Sequence, residues 1–210
     1  MHHIYTTKAI IIKSVPIGEA NKYYFLLTED LGFIKASAQG VRLDKSKLKG
    51  HLQDFCLVSV SLVKGKNIWR ITNVETIEQG NFIKDINGSA SFTTSRLIAV
   101  KNIFSLLLRL LHGEEKNEAL FHCVESFYNF LKTLEARPQE YTNIKNLETI
   151  TVLRILYHLG YFSEKPGLSK DNLSDFVKDS ELSTEILSSF KDKQKSAILD
   201  INKALKETHL

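Results

Sequence analysis

A cluster of positively charged side chains offers the clearest chemistry in this sequence. Arg42, Lys45, Lys47 and Lys49 stand within eight residues that contain one acid, Asp44. Ammonium and guanidinium groups spaced in this way on a loop can lie along a phosphate chain and release its counterions. The alternative interpretation is a loop that is merely solvated, since most runs of charge face water.

A second group of cations surrounds a short turn farther along the chain and is interleaved with aromatic residues. Bases stack on rings while phosphates need positive charge, so this mixture is typical of a groove for single-stranded nucleic acid. Some of the nearby rings must belong to the core, and we expect Trp69 and one of Tyr23 and Tyr24 to be exposed. The predicted nucleic-acid-binding residues are Arg42, Lys45, Lys47, Lys49, Lys64, Lys66, Trp69 and Arg70.

No pattern in the sequence predicts a catalytic site, a metal site or a cofactor. The segment from Gly18 to Lys22 lacks the second glycine and the ending of a phosphate-binding loop. The seven histidines are scattered, without metal-binding spacing. Cys56 and Cys123 have apolar neighbours and are expected to be small buried residues. We therefore expect a protein that is not an enzyme.

Residues 4–79 have the pattern of a small β-barrel that would position the cations. Short runs of β-branched and aromatic residues are separated by turns, and 57–63 alternates with a period of two. The first run is predicted to end in a turn at 14–18. Five strands with one longer connection, 41–55, favour the oligonucleotide-binding (OB) fold, because closure removes exposed strand edges. An SH3-like barrel is the alternative.

Helical periodicity begins after residue 90, so the fold class is α+β, an all-β domain followed by an all-α domain. Three longer helices and two shorter ones are expected, with Thr93 or Thr94 capping the first and Gly160 ending the third. The predicted helices lie near 97–111, 120–134, 147–159, 184–190 and 196–205, stopped in the first two cases by Gly113 and Pro138. The predicted domains are a barrel at 1–80, a linker at 81–90 and a helical domain at 91–210.

The distribution of charge agrees with this division. Residues 1–80 contain eleven Lys or Arg and seven Asp or Glu, so the net charge of +4 lies wholly in the barrel region. A local basic excess is expected of a protein that binds phosphate backbones. The sequence shows no targeting segment and no apolar run long enough to span a membrane, which predicts a cytoplasmic protein without membrane contact.

An ordered set of short motifs resembles the RecO family of bacterial recombination mediators and covers most of residues 5–161. The matching elements are Lys8–Ile11, Gly18–Ala20, Leu26–Glu29, Gly32, Ala38–Arg42, Lys45-Ser46, Leu48–Gln53, Phe55, Gly65, Glu75, Leu153–Leu156 and Leu159–Tyr161. Two features depart from the family. Asn21 stands where many relatives have an acid, and 162–168 lacks the cysteines of a four-cysteine zinc site. The C-terminal part is expected to be reduced and free of zinc.

The resemblance implies binding of single- and double-stranded DNA and annealing of complementary strands without ATP. It also implies partners: RecR, and the C-terminal tail of the single-stranded-DNA-binding protein (SSB), with loading of the RecA recombinase on SSB-coated DNA. An acidic tail that ends in a carboxylate needs a cation beside an apolar pocket. Arg109 and Arg154, on apolar helices, are the candidates for this contact, and snorkelling to water is the alternative for each.

Two other functions stay open at this point. A generic OB-fold module that binds RNA would have the same barrel, and a hydrolase or nuclease could have an unrecognised site. Annealing of complementary DNA in the presence of SSB separates the first from a recombination mediator. Incubation of labelled nucleic acid with Mg²⁺ or Mn²⁺ would reveal the second.

Overall fold

The structure is a computed structural model that describes residues 3–80, 90–134, 137, 140–162, 173–177 and 181–207. It divides into two compact units. The first comprises residues 1–84 and 110–121, and the second comprises residues 85–109 and 122–210. The first unit thus includes a segment that the sequence analysis assigns to the helical domain. Nearly all of the predicted linker, 81–90, lies outside the described residues.

The first unit contains a closed five-stranded barrel. Its strands are β1 (Ile4–Ile17), β2 (Asn21–Thr28), β3 (Gly32–Ala38), β4 (Leu57–Lys64) and β5 (Trp69–Glu78). Their order around the barrel is β1-β2-β3-β5-β4. All neighbouring pairs are antiparallel except β3 and β5, which are parallel. The predicted five-stranded barrel followed by helices is confirmed.

The prediction of a turn at 14–18 is wrong, because β1 continues to Ile17 and turns only at 18–20. Pro16 lies inside the strand and pairs with Lys22 of β2. Proline is tolerated here because β1 pairs with β4 only as far as Ile10, so its last residues have a strand neighbour on one side alone. The missing N–H can face the side that has no ladder.

The barrel core is built from the inward-facing side of each strand. Ile11, Leu26, Ile34, Val60 and Leu62 are almost fully buried, as the period-two pattern predicts. Tyr24 is also fully buried, and its hydroxyl donates a hydrogen bond to the carbonyl of Leu52 over 3.4 Å. Burial, followed by the nearby negative charge of Asp54, raises the pKa of Tyr24 to about 12. Tyr24 therefore stays neutral and ties the long connection to the core.

The described helices are α1 (Ala90–Leu110), α2 (Glu118–Thr133), α3 (Glu140–His158), α4 (Ser174–Val177), α5 (Thr184–Phe190) and α6 (Gln194–Glu207). None of them is long and apolar enough to cross a membrane. Cys56 and Cys123 are free and buried, as predicted. The short helix α4 is absent from the sequence prediction, and Pro138 lies outside the described residues.

The predicted C-terminal end of α3 is correct, whereas the predicted starts of α1 and α3 are wrong. Gly160 has a φ of +77°, and the N–H groups of Gly160 and Tyr161 donate to the carbonyls of Tyr157 and Leu156, which is a Schellman ending of α3. Thr93 and Thr94 lie inside α1 and do not cap it. Threonine fits a helix interior because its hydroxyl can bond to a carbonyl one turn earlier. Helix α3 begins at Glu140, seven residues before the predicted start at Leu147.

The connection segment, which we define as residues 111–117 between α1 and α2, packs on the barrel. Lys116 Nζ lies 3.3 Å from Asp30 Oδ1 in the β2–β3 turn. The other oxygen of Asp30 accepts a hydrogen bond from the buried Thr7 hydroxyl at 2.9 Å. These bonds, from Thr7 first and then Lys116, lower the pKa of Asp30. Beside them the backbone of Glu115 approaches Gly32, where a Cβ atom would lie 2.1 Å from the Glu115 carbonyl oxygen.

We predict that Gly32→Ala destabilises the barrel more than Gly18→Ala does. Both glycines have positive φ, +71° and +55°, but nothing lies within 4 Å of a Cβ at Gly18. The left-handed conformation costs about 1–2 kcal/mol for alanine, and the clash at Gly32 adds roughly 1–3 kcal/mol. Urea unfolding followed by the fluorescence of Trp69 measures both values. Equal losses of stability in the two variants would show that the connection segment does not press on Gly32.

Candidate nucleic-acid interface

Three loops lie at the same end of the barrel. The β1–β2 turn joins the end of β1 to the start of β2, and Lys22 near that start pairs with Ala38 at the end of β3. The long connection 41–55 leaves the barrel just beyond Ala38. Ser37 pairs with Arg70 at the start of β5, so the β4–β5 hairpin is at this end too. In OB folds the face of strands 2–3 binds oligonucleotides, together with the loop between strands 1 and 2 and the loop between strands 4 and 5.

The connection 41–55 is held firmly at its base. The backbone N–H of Arg42 donates to the carbonyl of Ala20 at 2.9 Å, and Arg42 Nη1 donates to the carbonyl of Gly18 at 2.7 Å. Val41 and Leu52 are buried in the barrel core, and Leu48 packs against it. The connection therefore has apolar anchors between its cations.

The four predicted cations of this connection are exposed but differ in their partners. Arg42 is engaged with the β1–β2 turn, as described above, and Lys49 Nζ lies 3.0 Å from Asp44 Oδ1. Lys45 and Lys47 have no ion-pair or hydrogen-bond partner among the described residues. These two ammonium groups are available to an incoming phosphate at no cost in internal contacts.

Asn21 lies where the resemblance to the RecO family implies an acid, and its contact explains why an amide is accommodated there. Its side-chain carbonyl accepts a hydrogen bond of 2.8 Å from the N–H of Gly40. Gly40 has a φ of +64° and begins the long connection. A carboxylate oxygen could accept the same bond, so the amide preserves the contact and leaves this end of the barrel without one negative charge.

An aromatic face runs along the outside of β2 and β3, and we define it as Tyr23, Phe25, Phe33 and Lys35. The three rings are half-buried, and the rings of Phe25 and Phe33 stack with centroids 6.2 Å apart. Lys35 Nζ lies 4.2 Å from the centre of the Tyr23 ring and 5.8 Å from that of Phe25. Such a surface offers ring faces for bases beside an ammonium group for phosphate.

Lys35 was not among the predicted site residues, although the alternation of strand side chains pointed to it. Strand side chains alternate between the two faces, so Tyr23 and Phe25 must share a face when Tyr24 points inward. The same alternation places Phe33 and Lys35 together on β3. The choice between Tyr23 and Tyr24 is resolved in the same way, since Tyr24 is in the core and Tyr23 is on the aromatic face.

The prediction that Trp69 is exposed is wrong. Its side chain is 3% exposed and belongs to the barrel core with Ile71 and Val74. The indole Nε1 donates a hydrogen bond of 2.9 Å to Glu114 Oε1 in the connection segment. A tryptophan can be buried when its N–H finds an acceptor, and here that acceptor comes from 45 residues away. Trp69 therefore cannot offer its ring as an exposed platform for a base.

The cations predicted around the β4–β5 hairpin are all exposed. Lys64 Nζ lies 2.9 Å from Glu114 Oε2 and 5.1 Å from the centre of the Trp69 ring. Lys66 and Arg70 have no ion-pair or hydrogen-bond partner among the described residues. A recess of about 300 Å³ lies beside the hairpin and is lined by Ser37, Gln39, Val63, Lys64, Gly65, Ile68 and Arg70.

The hairpin and the aromatic face form one continuous surface. Tyr23 pairs with Ser37, and Ser37 pairs with Arg70 on the next strand. With neighbouring strands about 4.8 Å apart, the backbones of Tyr23 and Arg70 are roughly 10 Å apart across the sheet. The register therefore brings together Arg70, the rings and Lys35. The arginines predicted to bind the SSB tail belong to the second unit.

Arg109 and Arg154 have different surroundings in the second unit. Arg109 is exposed in the last turn of α1. Arg154 is only 4% exposed, and its Nε donates a hydrogen bond of 2.9 Å to the carbonyl of Phe176 in α4. The buried guanidinium of Arg154 thus links α3 to α4. Of the two candidates, Arg109 is the one that presents its charge at the surface.

No group of three or more His, Cys, Asp or Glu side chains in the described part of the chain is arranged to hold a metal ion. Of the stretch 162–168, where the resemblance implies a cysteine site in related proteins, only Phe162 lies within the described residues.

Comparison with known proteins identifies the family to which this barrel belongs. The family model "Recombination protein O N terminal" matches residues 1–79. The DNA repair protein RecO of Dehalococcoides mccartyi strain 195 is 33% identical over 175 residues, which cover 79% of this chain and 68% of that protein. The chain belongs to the RecO family. It functions in DNA recombination and repair, in a family of mediators that are not enzymes.

Other RecO proteins match either a short stretch or most of the chain. RecO of Dehalococcoides mccartyi strain CBDB1 is 49% identical over 76 residues, 36% of this chain and 30% of the relative. RecO of Gloeothece citriformis is 25% identical over 205 residues, covering 89% of this chain and 72% of the relative.

We predict that acid neutralises Glu114, and so weakens its contacts with Lys64 and Trp69, at a pH below the ordinary glutamate pKa of about 4.3. The hydrogen bond from Lys64, and more weakly that from Trp69, lower the pKa of Glu114 against the raising effect of burial. A lowered pKa in the folded state means that the contact stabilises the fold at higher pH and is lost as the pH falls through the lowered value.

Trp69 is the only tryptophan, so its emission reports this contact directly. The wild type should show a fluorescence transition in acid before the circular dichroism of the barrel is lost. Glu114→Gln, which cannot ionise, should lack it. An identical transition in that variant would contradict the assignment.

Proposed function

We propose that this RecO-family chain binds single- and double-stranded DNA on the outer surface of its barrel and anneals complementary strands without ATP. The observation that carries the proposal is the single surface on which the aromatic face, the β4–β5 hairpin and the connection 41–55 meet. Each contributes cations, and the aromatic face adds rings that stack on any base. Contacts of this kind hold a strand without reading its sequence.

Annealing on such a surface needs no source of chemical energy. Formation of a DNA duplex is favourable, with stacking worth about 1.4 kcal/mol per step on average. The obstacle is the repulsion between two phosphate backbones and the disorder of each free strand. Cations such as Lys45 and Lys47 reduce the repulsion, and holding a strand extended along the aromatic face reduces its disorder.

The wider role that we propose is to load the RecA recombinase onto SSB-coated DNA together with RecR. For the SSB tail we propose Arg109, because its exposed guanidinium can pair with a terminal carboxylate. Arg154 was the other candidate from the sequence, but its bond to the Phe176 carbonyl supports a structural role.

Annealing of complementary oligonucleotides coated with SSB tests the proposal. We expect the protein to accelerate duplex formation in the absence of ATP and of divalent metal ions. The same reaction with two RNA strands is the comparison, because a generic RNA-binding module would favour RNA. The proposal fails if DNA annealing is no faster than without the protein, or if the nucleic acid is cleaved.

We predict that the connection 41–55 accounts for much of the salt dependence of single-strand binding. Each phosphate contact contributes about 0.7 to the log–log slope, so the cations Arg42, Lys45, Lys47 and Lys49 contribute up to about 2.8. That slope weakens binding roughly fifty-fold between 50 and 200 mM salt. Changing all four to Ala should flatten the slope by up to that amount. The Lys45→Ala/Lys47→Ala pair, which lacks internal partners, should account for about half of it.

Two controls separate this effect from a change in total charge or in stacking. Lys203→Ala/Lys206→Ala removes two positive charges, as the Lys45→Ala/Lys47→Ala pair does, but from exposed positions of α6. It should leave the slope unchanged. Tyr23→Leu on the aromatic face should weaken binding at every salt concentration without altering the slope. If the quadruple variant keeps the wild-type slope, the connection is only solvated.

A further inference from the structure

Glu114 occupies an unusual position for an acid in a DNA-binding surface. One carboxylate oxygen accepts the Trp69 indole N–H at 2.9 Å, and the other lies 2.9 Å from Lys64 Nζ. Lys64 lines the recess beside the hairpin together with Arg70. The carboxylate thus fills an anion site that consists of one ammonium group and one indole N–H. Phosphate oxygens of a DNA backbone have the same charge and accept the same bonds.

We propose that Glu114 is an internal competitor for DNA phosphate, which a bound single strand displaces from Lys64. The inference rests on the proposed binding of DNA by the barrel and adds a further anion site and its regulation. The ligand of the site is a backbone phosphate, and Lys64 is the group that changes partner.

The surroundings of the Glu114–Lys64 ion pair allow it to break. The side chains of Lys64 and Glu114 are 59% and 45% exposed, and ion pairs exposed to this degree are weak. Only Lys64 has to move, so the other oxygen of Glu114 keeps its hydrogen bond from the Trp69 N–H. The Lys116–Asp30 ion pair and the close approach at Gly32 hold the connection segment on the barrel during the exchange.

The exchange has a measurable signature in the salt dependence of binding. When a free lysine contacts a phosphate, the DNA releases a counterion and the slope rises by about 0.7. When Lys64 must leave Glu114 to make that contact, binding also breaks an ion pair whose attraction is screened by salt, so this cost falls as the salt concentration rises and offsets part of the release. The Lys64 contact is consequently partly masked in the slope of the wild type and becomes fully visible when Glu114 loses its charge.

Glu114→Gln tests this with little disturbance of the fold, because the amide oxygen can still accept the Trp69 N–H. We expect single-strand DNA to bind roughly two- to five-fold more tightly at 50 mM salt, the effect of removing one exposed ion pair. We also expect the slope to steepen by up to about 0.7. Glu115→Gln is the matched control, since Glu115 is the next residue, is exposed and has no side-chain partner among the described residues. It removes the same charge and should leave the slope as in the wild type.

Lys64→Gln completes the test in both backgrounds. In the wild type it should weaken binding less than in Glu114→Gln, where it should abolish both the gain in affinity and the added slope. Equal effects of Glu114→Gln and Glu115→Gln, or weaker binding by Glu114→Gln, would overturn the inference. Either result can occur while the wild type binds DNA with a clear salt dependence. Failure of the wild type to bind at all would instead reject the proposed function.

Discussion

The short parallel contact between β3 and β5 is the interaction on which the candidate site depends. It consists of two residue pairs, Ala36 with Trp69 and Ser37 with Arg70. Without it the β4–β5 hairpin would sit at the far edge of an open sheet, separated from the aromatic face by β1. Closure removes both sheet edges and also sets Arg70 two strands from Tyr23. The same contact buries Trp69, so a step that completes the core also assembles the outer surface.

The alternation of strand side chains explains which parts of this surface could be predicted. Cations that cannot be buried alone are exposed wherever they lie, so the charged residues of the connection and the hairpin were identified from the sequence. Aromatic residues fit either face, and their assignment needs the register. Trp69 shows the difficulty, because its burial depends on Glu114, an acceptor that no local pattern connects with it. Lys35 was missed because it is an isolated charge in the sequence: alternation places it beside Phe33, but its contacts with Tyr23 and Phe25 depend on the register of β2 with β3.

The fold itself was more predictable than its element boundaries. The number of strands, the closed barrel and the exact span of α5 follow from periodicity, which records the buried face of each element. Errors arose where a residue that commonly ends an element is compatible with continuing it. Pro16 continues β1 because the strand has one free side there, and Thr93 and Thr94 continue α1. At Gly160 the left-handed backbone leaves no such choice, and the helix ends as predicted.

Internal partners for the cations of the site fit the work of a recombination mediator, which must release DNA as well as hold it. Arg42 has the Gly18 carbonyl, Lys49 has Asp44, and Lys64 has Glu114. A cation with an internal acceptor loses less when it leaves a phosphate, because it exchanges one partner for another. Lys45 and Lys47 lack such an alternative among the described residues and would hold the strand more persistently. A surface that combines both kinds of cation can grip a single strand from two fixed points while the remaining contacts exchange. This property suits the proposed role, in which the protein gives way once a complementary strand or a recombinase arrives.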